Sequence, residues 1–373
     1  MNKFIPVNEP LLDGNEKKYL IECIDSGWIS SEGPFVALFE EKFSQKVNRR
    51  FGIAVSNGTA AIDVAIEALG IGPGDEVILP TFTIISCVSQ IVRSGAIPVL
   101  VDSDPITWNM DVSQIRSKIT PKTKAIMIVH IYGLPVDVDP VLAVAKEYGL
   151  KVIEDAAEVH GQLYRGRPCG SFGDISTFSF YPNKHITTGE GGMVCTNDEG
   201  LAQKVRDLRN LCFQPGKRFI HERLGWNLRL TNLQAAIGVA QLERLDEFTK
   251  RKQLMGRQYT ELLGGISGVQ LPLARTDYAD NIYWVYGLVL NEDLGINAET
   301  AMQKLLDKGV GCRPFFYPMH QQPVMKNKGF FKGESFPVAE HMYKNGFYIP
   351  SGIALTEDQI QQVSKKVREV LGT

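Results

Sequence analysis

The sequence contains no C-x-x-C pair, no apolar run long enough to cross a bilayer and no surplus of basic charge. Each absence removes a class of function. The six cysteines (Cys23, Cys87, Cys169, Cys195, Cys212 and Cys312) are scattered, so neither a zinc knuckle nor a dithiol redox motif is indicated and reduced thiols are expected. No stretch approaches the roughly 20 apolar residues that span a membrane, and Met1–Pro10 lacks the pattern of a secretory signal. A soluble, cytoplasmic protein is therefore expected. Forty Lys and Arg against 42 Asp and Glu leave a net charge of −2, which gives no general attraction to nucleic acid or an anionic membrane. There is no Walker-type phosphate loop, no repeat and no low-complexity linker. Gly70-Ile71-Gly72-Pro73-Gly74-Asp75 imitates a dinucleotide loop, but it precedes a strand pattern instead of following one and reads as a turn. No set of metal ligands stands at metal spacing, and no metal is expected.

What is present is an ordinary globular composition, 44% hydrophobic and 22% charged over 373 residues, enough for a large core and two or three domain-sized units. Short β-branched runs recur between helical patterns at Phe51–Ser56, Glu76–Pro80, Ile97–Asp102, Lys124–Ile131, Lys151–Ala156, Ile175–Tyr181 and Gly192–Thr196. Such alternation predicts an α/β unit whose mostly parallel sheet is covered on both faces. From Leu201 to Leu263 the pattern is helical, including one helix over Asn232–Phe248. A smaller α+β unit follows, with a strand at Tyr283–Leu290, a helix near Ala298–Lys308, a proline-rich turn at Arg313–Pro323 and a closing helix at Thr356–Leu371. The expected division is a large domain over 1–250 and a small one over 251–373, with the first ~30 residues packing on the small domain or the active site.

Three segments carry chemistry. Ser56-Asn57-Gly58-Thr59-Ala60-Ala61 follows a strand and opens a helix over Ala60–Leu69. Its unpaired N–H groups and positive dipole end suit an anion such as a phosphate, although a plain turn capped by Thr59 fits the same residues. Val152–Glu158 is an apolar strand ending in carboxylates, and strand carboxyl ends are where open α/β sheets bind ligands. Asp155 there suits the nitrogen of a pyridine ring, or is simply a solvated acid. Lys184 follows a β-rich run and precedes the glycine-rich Gly189–Gly192, a setting that desolvates an amine for Schiff-base chemistry, whereas most lysines are surface charges. His185 reads as structural.

Taken as an ordered set, Ser56–Thr59, Glu154–Glu158, Ser179 with Lys184 five residues on, and Gly189–Gly192 resemble the signature of the DegT/StrS family, sugar aminotransferases of fold type I that use pyridoxal 5′-phosphate. The resemblance runs from Leu12–Glu16 through Gly27–Ser31 to Arg313-Pro314 and His320. It implies a mostly parallel seven-stranded mixed sheet covered by helices, with a small C-terminal α+β domain. It implies that Lys184 binds the cofactor as a Schiff base, Asp155 pairs with the pyridine nitrogen, Glu158 lies near the ring hydroxyl, and Gly58, Thr59 and Ser179 hold the phosphate. Asn227, in Gly225-Trp226-Asn227-Leu228-Arg229, would reach the cofactor of a partner subunit, implying a homodimer with shared sites. Trp28, Ser30, Arg229, Arg313, Tyr317 and His320 would contact a nucleotide-linked sugar.

The implied reaction moves an amino group from L-glutamate to C4 of a nucleotide-linked 4-keto-6-deoxy sugar, with GDP-4-keto-6-deoxymannose the first expectation. A dTDP- or UDP-linked keto sugar, a sugar dehydratase and a regulatory binder are the alternatives. Ile84 stands where the family usually places an aromatic against the cofactor ring, so aliphatic packing is expected there.

Overall fold

The computed structural model describes residues 4–213, 216 and 219–372. After α1 (Glu16–Ser26) and α2 (Pro34–Lys46) come β1 (Phe51–Val55), α3 (Gly58–Ala68), β2 (Glu76–Pro80), α4 (Ile85–Arg93), β3 (Ile97–Val101), β4 (Thr123–Val129), α5 (Val138–Tyr148) and β5 (Lys151–Asp155). A short hairpin of β6 (Leu163–Tyr164) and β7 (Arg167–Pro168) leads to β8 (Ile175–Ser179), β9 (Gly192–Thr196) and α6 (Glu199–Arg209). The seven longer strands form one sheet in the order β1-β9-β8-β5-β4-β2-β3. Only β9 runs against the others, pairing antiparallel with both β1 and β8, so each of the seven apolar runs became a strand.

Both faces of this sheet are buried, which is why its strands read as continuous apolar runs. Alternate side chains feed opposite cores: Ile53, Val55, Val77, Leu79, Met127 and Val129 on one face, Ala54, Ile78, Ile126 and Ile128 on the other. This is the two-residue period of a pleated strand, and each large aliphatic so buried contributes about 1.5–3 kcal/mol. α3 is apolar nearly all round and buries Ala60, Ala61, Ile62, Val64, Ala65, Ile66 and Ala68. It is therefore wedged against the sheet and cannot shift without disturbing it.

The expected helix over Asn232–Phe248 is two: α7 (Asn232–Leu242) and α8 (Leu245–Leu263). Side-chain bonds hold the break. Glu243 accepts from Asn15 and Tyr19, while Arg244 leaves helical geometry and pairs with Asp13 and Glu247. Residue 250, the expected boundary, falls inside unbroken α8, whose far end packs into the second unit. There β10 (Val269–Gln270), β11 (Tyr286–Leu290), β12 (Arg313–Pro314) and β13 (Gly346–Ile349) pair antiparallel in the order β10-β11-β13-β12. α9 (Ala298–Asp307), α10 (Pro323–Asn327), α11 (Pro337–Asn345) and α12 (Glu357–Leu371) complete the unit. α12 opens on a capping box between Thr356 and Gln359, as its sequence suggests. The N-terminal segment belongs here too: Ile5 exchanges backbone bonds with Gly309 and Gly311, and Ser351 donates to the Val7 carbonyl. Among the described residues no helix is long and apolar enough to cross a membrane.

Candidate active site

The carboxyl ends of β1, β5 and β8 open into one cavity of about 600 Å³ between the two units. At the first of these ends, Asn57 caps α3 by accepting the Ala60 N–H at 2.8 Å. The cap is therefore Asn57, not Thr59. Thr59 is left free to bond through its hydroxyl to Ser86 Oγ at 2.8 Å. Gly58 allows α3 to begin against β8: a Cβ there would lie 2.7 Å from Ser179 Cβ. Glycine thus brings the Ser179 hydroxyl beside N–H groups that have no intrahelical acceptor, at the positive end of the helix dipole.

At the end of β5, Asp155 is buried. One oxygen accepts the Ala157 N–H at 3.1 Å and the other the Cys87 thiol at 3.3 Å. Burial raises its carboxyl above the usual range, opposed by those two donors and by the Lys184 charge. Glu158 accepts the Tyr132 N–H at 2.9 Å and lies 3.4 Å from Lys184 Nζ. Burial pushes Glu158 up to about 7 against the opposing charge of Lys184. It is thus a carboxyl that gains and loses its proton near neutrality. Lys184 Nζ also lies 3.7 Å from the centre of the Trp284 ring.

Beside them, burial holds His160 at about 3 and His185 well below its ordinary value, so both imidazoles are neutral. His130, Glu154 and Cys169 sit close enough together to suggest a metal, but their bonds close on themselves. His130 Nδ1 accepts the Val136 N–H, which leaves Nε2–H to donate to Glu154, and Glu154 also accepts the N–H groups of Gly170 and Phe172.

The cavity gathers Gly58, Thr59, Asp155, Glu158, Ser179 and Lys184 in one chain. Ile84 lines it as well, 43% exposed, so its aliphatic side chain faces the space. The other candidates stand elsewhere. Arg229 bonds Asn210 at 2.7 Å and lines a separate cleft with Arg206 and Arg209. Trp28 is half-exposed and Ser30 exposed, their carbonyls accepting from Asn232. Asn227 is exposed, bridged through its backbone to Asn210. Tyr317 packs edge-on against Tyr343. His320 is buried between Thr81 Oγ1 at 2.9 Å and Glu340 Oε1 at 3.0 Å. Arg313, on β12, is opposite Tyr348 of β13, and Tyr348 lines the cavity.

Ser86, Trp284, Phe316 and Tyr348 also line the cavity, and no motif in the sequence points to them. Trp284 lay within a run read only as strand, and β13 carried no strand signal that was recognised. The chemistry of the set fits a phosphorylated pyridine aldehyde: an anion seat, a buried carboxylate for the ring nitrogen and an amine for the aldehyde. Two buried atoms of the lining, Thr177 Oγ1 and Asn183 Oδ1, have no hydrogen-bond partner among the described residues, a usual mark of a site whose polar groups serve a ligand.

The comparisons with known proteins agree with this chemistry. The model of the DegT/DnrJ/EryC1/StrS aminotransferase family matches residues 10–368. The chain is 43% identical over 369 residues to the GDP-perosamine synthase of Caulobacter vibrioides, covering 98% of each chain. It is 35% identical over 366 residues to the putative pyridoxal phosphate-dependent aminotransferase EpsN of Bacillus subtilis, covering 96% of this chain and 94% of EpsN. Among solved structures, DesV of S. venezuelae in complex with a ketimine intermediate is similar with a TM-score of 0.89 at 32% identity, covering 96% of this chain and 95% of that one.

Proposed function

The chain belongs to the DegT/DnrJ/EryC1/StrS aminotransferase family, and from that premise we propose that it is a pyridoxal-phosphate-dependent aminotransferase acting on a nucleotide-linked sugar. The reaction is L-glutamate plus GDP-4-keto-6-deoxymannose giving 2-oxoglutarate plus GDP-perosamine. The observation that carries the cofactor is the convergence of the α3 N-terminus, Asp155 and Lys184 on one cavity. The sugar rests on the likeness to the Caulobacter synthase.

Bound there, pyridoxal phosphate supplies an aldehyde for the migrating amino group and a ring that withdraws electrons from the carbon losing its proton. The protein does the rest. The first N–H groups of α3, with the Thr59 and Ser179 hydroxyls, bind the phosphate and fix its distance from Lys184. Asp155, kept from water, supplies the negative charge that holds a proton on the ring nitrogen, and its bonds to Ala157 and Cys87 keep it aimed. Glu158 serves the ring hydroxyl and offers the Lys184 proton a second resting place 3.4 Å away. Lys184 Nζ would hold the cofactor through its aldehyde and, when free, would move protons as a general base. The walls from the second unit, Trp284, Phe316 and Tyr348, exclude water.

A homodimer with shared sites belongs to the same proposal. Trp28, Ile29 and Leu224 are large apolar side chains 51%, 52% and 90% exposed, of the kind that subunits cover, and Asn227, three residues beyond Leu224, is exposed as well. Arg229 would then act at that shared site, while Arg313 meets the sugar nucleotide at the mouth beside Tyr348. The enzyme would work in the cytoplasm. The test is incubation of the purified protein with L-glutamate and a panel of GDP-, dTDP- and UDP-linked keto sugars, with mass detection of products. Amination of the GDP-linked 4-ketone is expected; preference for another base or ring position overturns the sugar assignment, and a deoxygenated product without added nitrogen overturns the reaction class.

A further inference from the structure

Trp284 is held at more points than a wall residue needs. Its N–H donates to the Tyr132 carbonyl at 3.0 Å, and its indole N–H donates at 2.6 Å to the carbonyl of Asn183, the residue before Lys184. Its own carbonyl accepts at 2.7 Å from Lys252 on α8. Lys252 is buried, and its amine also donates to the Ser351 carbonyl. A buried amine is costly unless it is hydrogen-bonded; here both bonds go to backbone carbonyls, one of them that of Trp284 itself. The result of this clamping is a buried indole whose face lies 3.7 Å from Lys184 Nζ. An ammonium over an indole face is attracted by the ring quadrupole, more strongly where water is excluded.

We propose that the Trp284 face is the docking place of the free Lys184 ammonium, so that Trp284 is a positioning residue that competes with covalent attachment of the cofactor. The claim rests on the reading of Lys184 as the cofactor-linking residue. Glu158 Oε1 lies 3.4 Å from the same amine. The consequence is directional: whatever weakens the ring's hold frees the amine sooner and speeds capture of the cofactor, whereas a ring that serves only to exclude water has no such effect.

Fluorinated tryptophans at position 284 drain the ring face of negative charge with little change of shape, so folding is not at stake. In cofactor-free protein carrying 13Cε-lysine, the Lys184 methylene, assigned by its loss in Lys184→Arg, is expected far upfield from the ring current. That shift persists in Trp284→Phe and vanishes in Trp284→Leu. On mixing with pyridoxal phosphate, the second-order rate of capture is expected to rise with each fluorine, to about fivefold across the series, and to lie above the native rate in Trp284→Phe as well, whose phenyl face holds a cation less strongly than an indole. A normal Lys184 methylene shift in the native protein, or a capture rate that stays flat or falls along the series, overturns the proposal. Lys184→Arg separates the two readings: if it still takes up the cofactor covalently, the functional reading fails, while the methylene shift continues to decide the role of Trp284.

Discussion

Gly58→Ala is the most informative single change in the anion seat. The added Cβ would lie 2.7 Å from Ser179 Cβ and 3.1 Å from its Oγ, while unstrained carbon contacts lie near 3.5–4.0 Å. One side must therefore retreat by roughly 1 Å. Neither does so cheaply: α3 is buried on nearly every face, and β8 is paired on both sides, to β5 and β9. Overpacking of this kind costs about 1–3 kcal/mol. Because the strain separates the helix N-terminus from Ser179, it is expected to fall on phosphate binding, raising the cofactor dissociation constant by about 5- to 150-fold. The assay is titration of cofactor-free variant with pyridoxal phosphate, followed by absorbance and accompanied by a thermal melt. Ser179→Gly makes the sharper control, since it vacates the space the new methyl needs. The double variant should bind no worse than Ser179→Gly alone, a strong departure from additivity. If Gly58→Ala binds within about twofold of native, or if the two effects simply add, the steric account is wrong.

The remaining predictions concern the carboxyl, the fold and the shared site. Glu158 has a folded value of about 7 against an ordinary 4.5, so between those limits the folded state holds the proton more tightly. Stability of the cofactor-free protein should therefore fall by up to about 3 kcal/mol as pH rises through that window, and Glu158→Gln should flatten the fall in denaturant melts at successive pH values. Arg49→Met removes a buried guanidinium that donates to the carbonyls of Gly170, Phe172 and Gly173, and a loss of about 2–4 kcal/mol in urea unfolding is expected; a loss below about 1 kcal/mol would show that those carbonyls find other donors. Lys184→Ala and Asn227→Ala should each be inactive alone but regain up to about a quarter of native activity when subunits are mixed, because half of the dimers then hold one intact site. No recovery in subunits proven to exchange would place Asn227 outside the partner's cavity.

Much of the site was legible because its chemistry sits where local patterns change. Gly58, Thr59, Asp155, Ser179 and Lys184 each stand at or just beyond the carboxyl end of an apolar run, and a sheet with parallel strands brings such ends together whatever their separation along the chain. The same local reasoning failed where pairing is distant. Nothing near Gly192 announced that β9 runs against its neighbours, since antiparallel and parallel buried strands share a composition. The break between α7 and α8 depends on bonds to Asp13, Asn15 and Tyr19, far away in sequence. β13 has only four residues, and although Asn345-Gly346 marks the end of α11, a run so short carries too little pattern to declare a strand. Trp284 and Tyr348 therefore became visible as site residues only once the second unit was folded over the first. His320 is bonded to Thr81 and Glu340 and lines a separate cavity, because the proline-rich turn carrying it folds back onto the end of β2.

The identity of one amine decides whether this cavity performs amino transfer. Reduction of the cofactor-loaded protein with borohydride, followed by proteolysis and peptide mass analysis, should leave the pyridoxyl group on the peptide containing Lys184 and on no other. Attachment to a different lysine, or a reduced protein carrying no cofactor at all, would contradict the assignment of this cavity as the site of amino transfer.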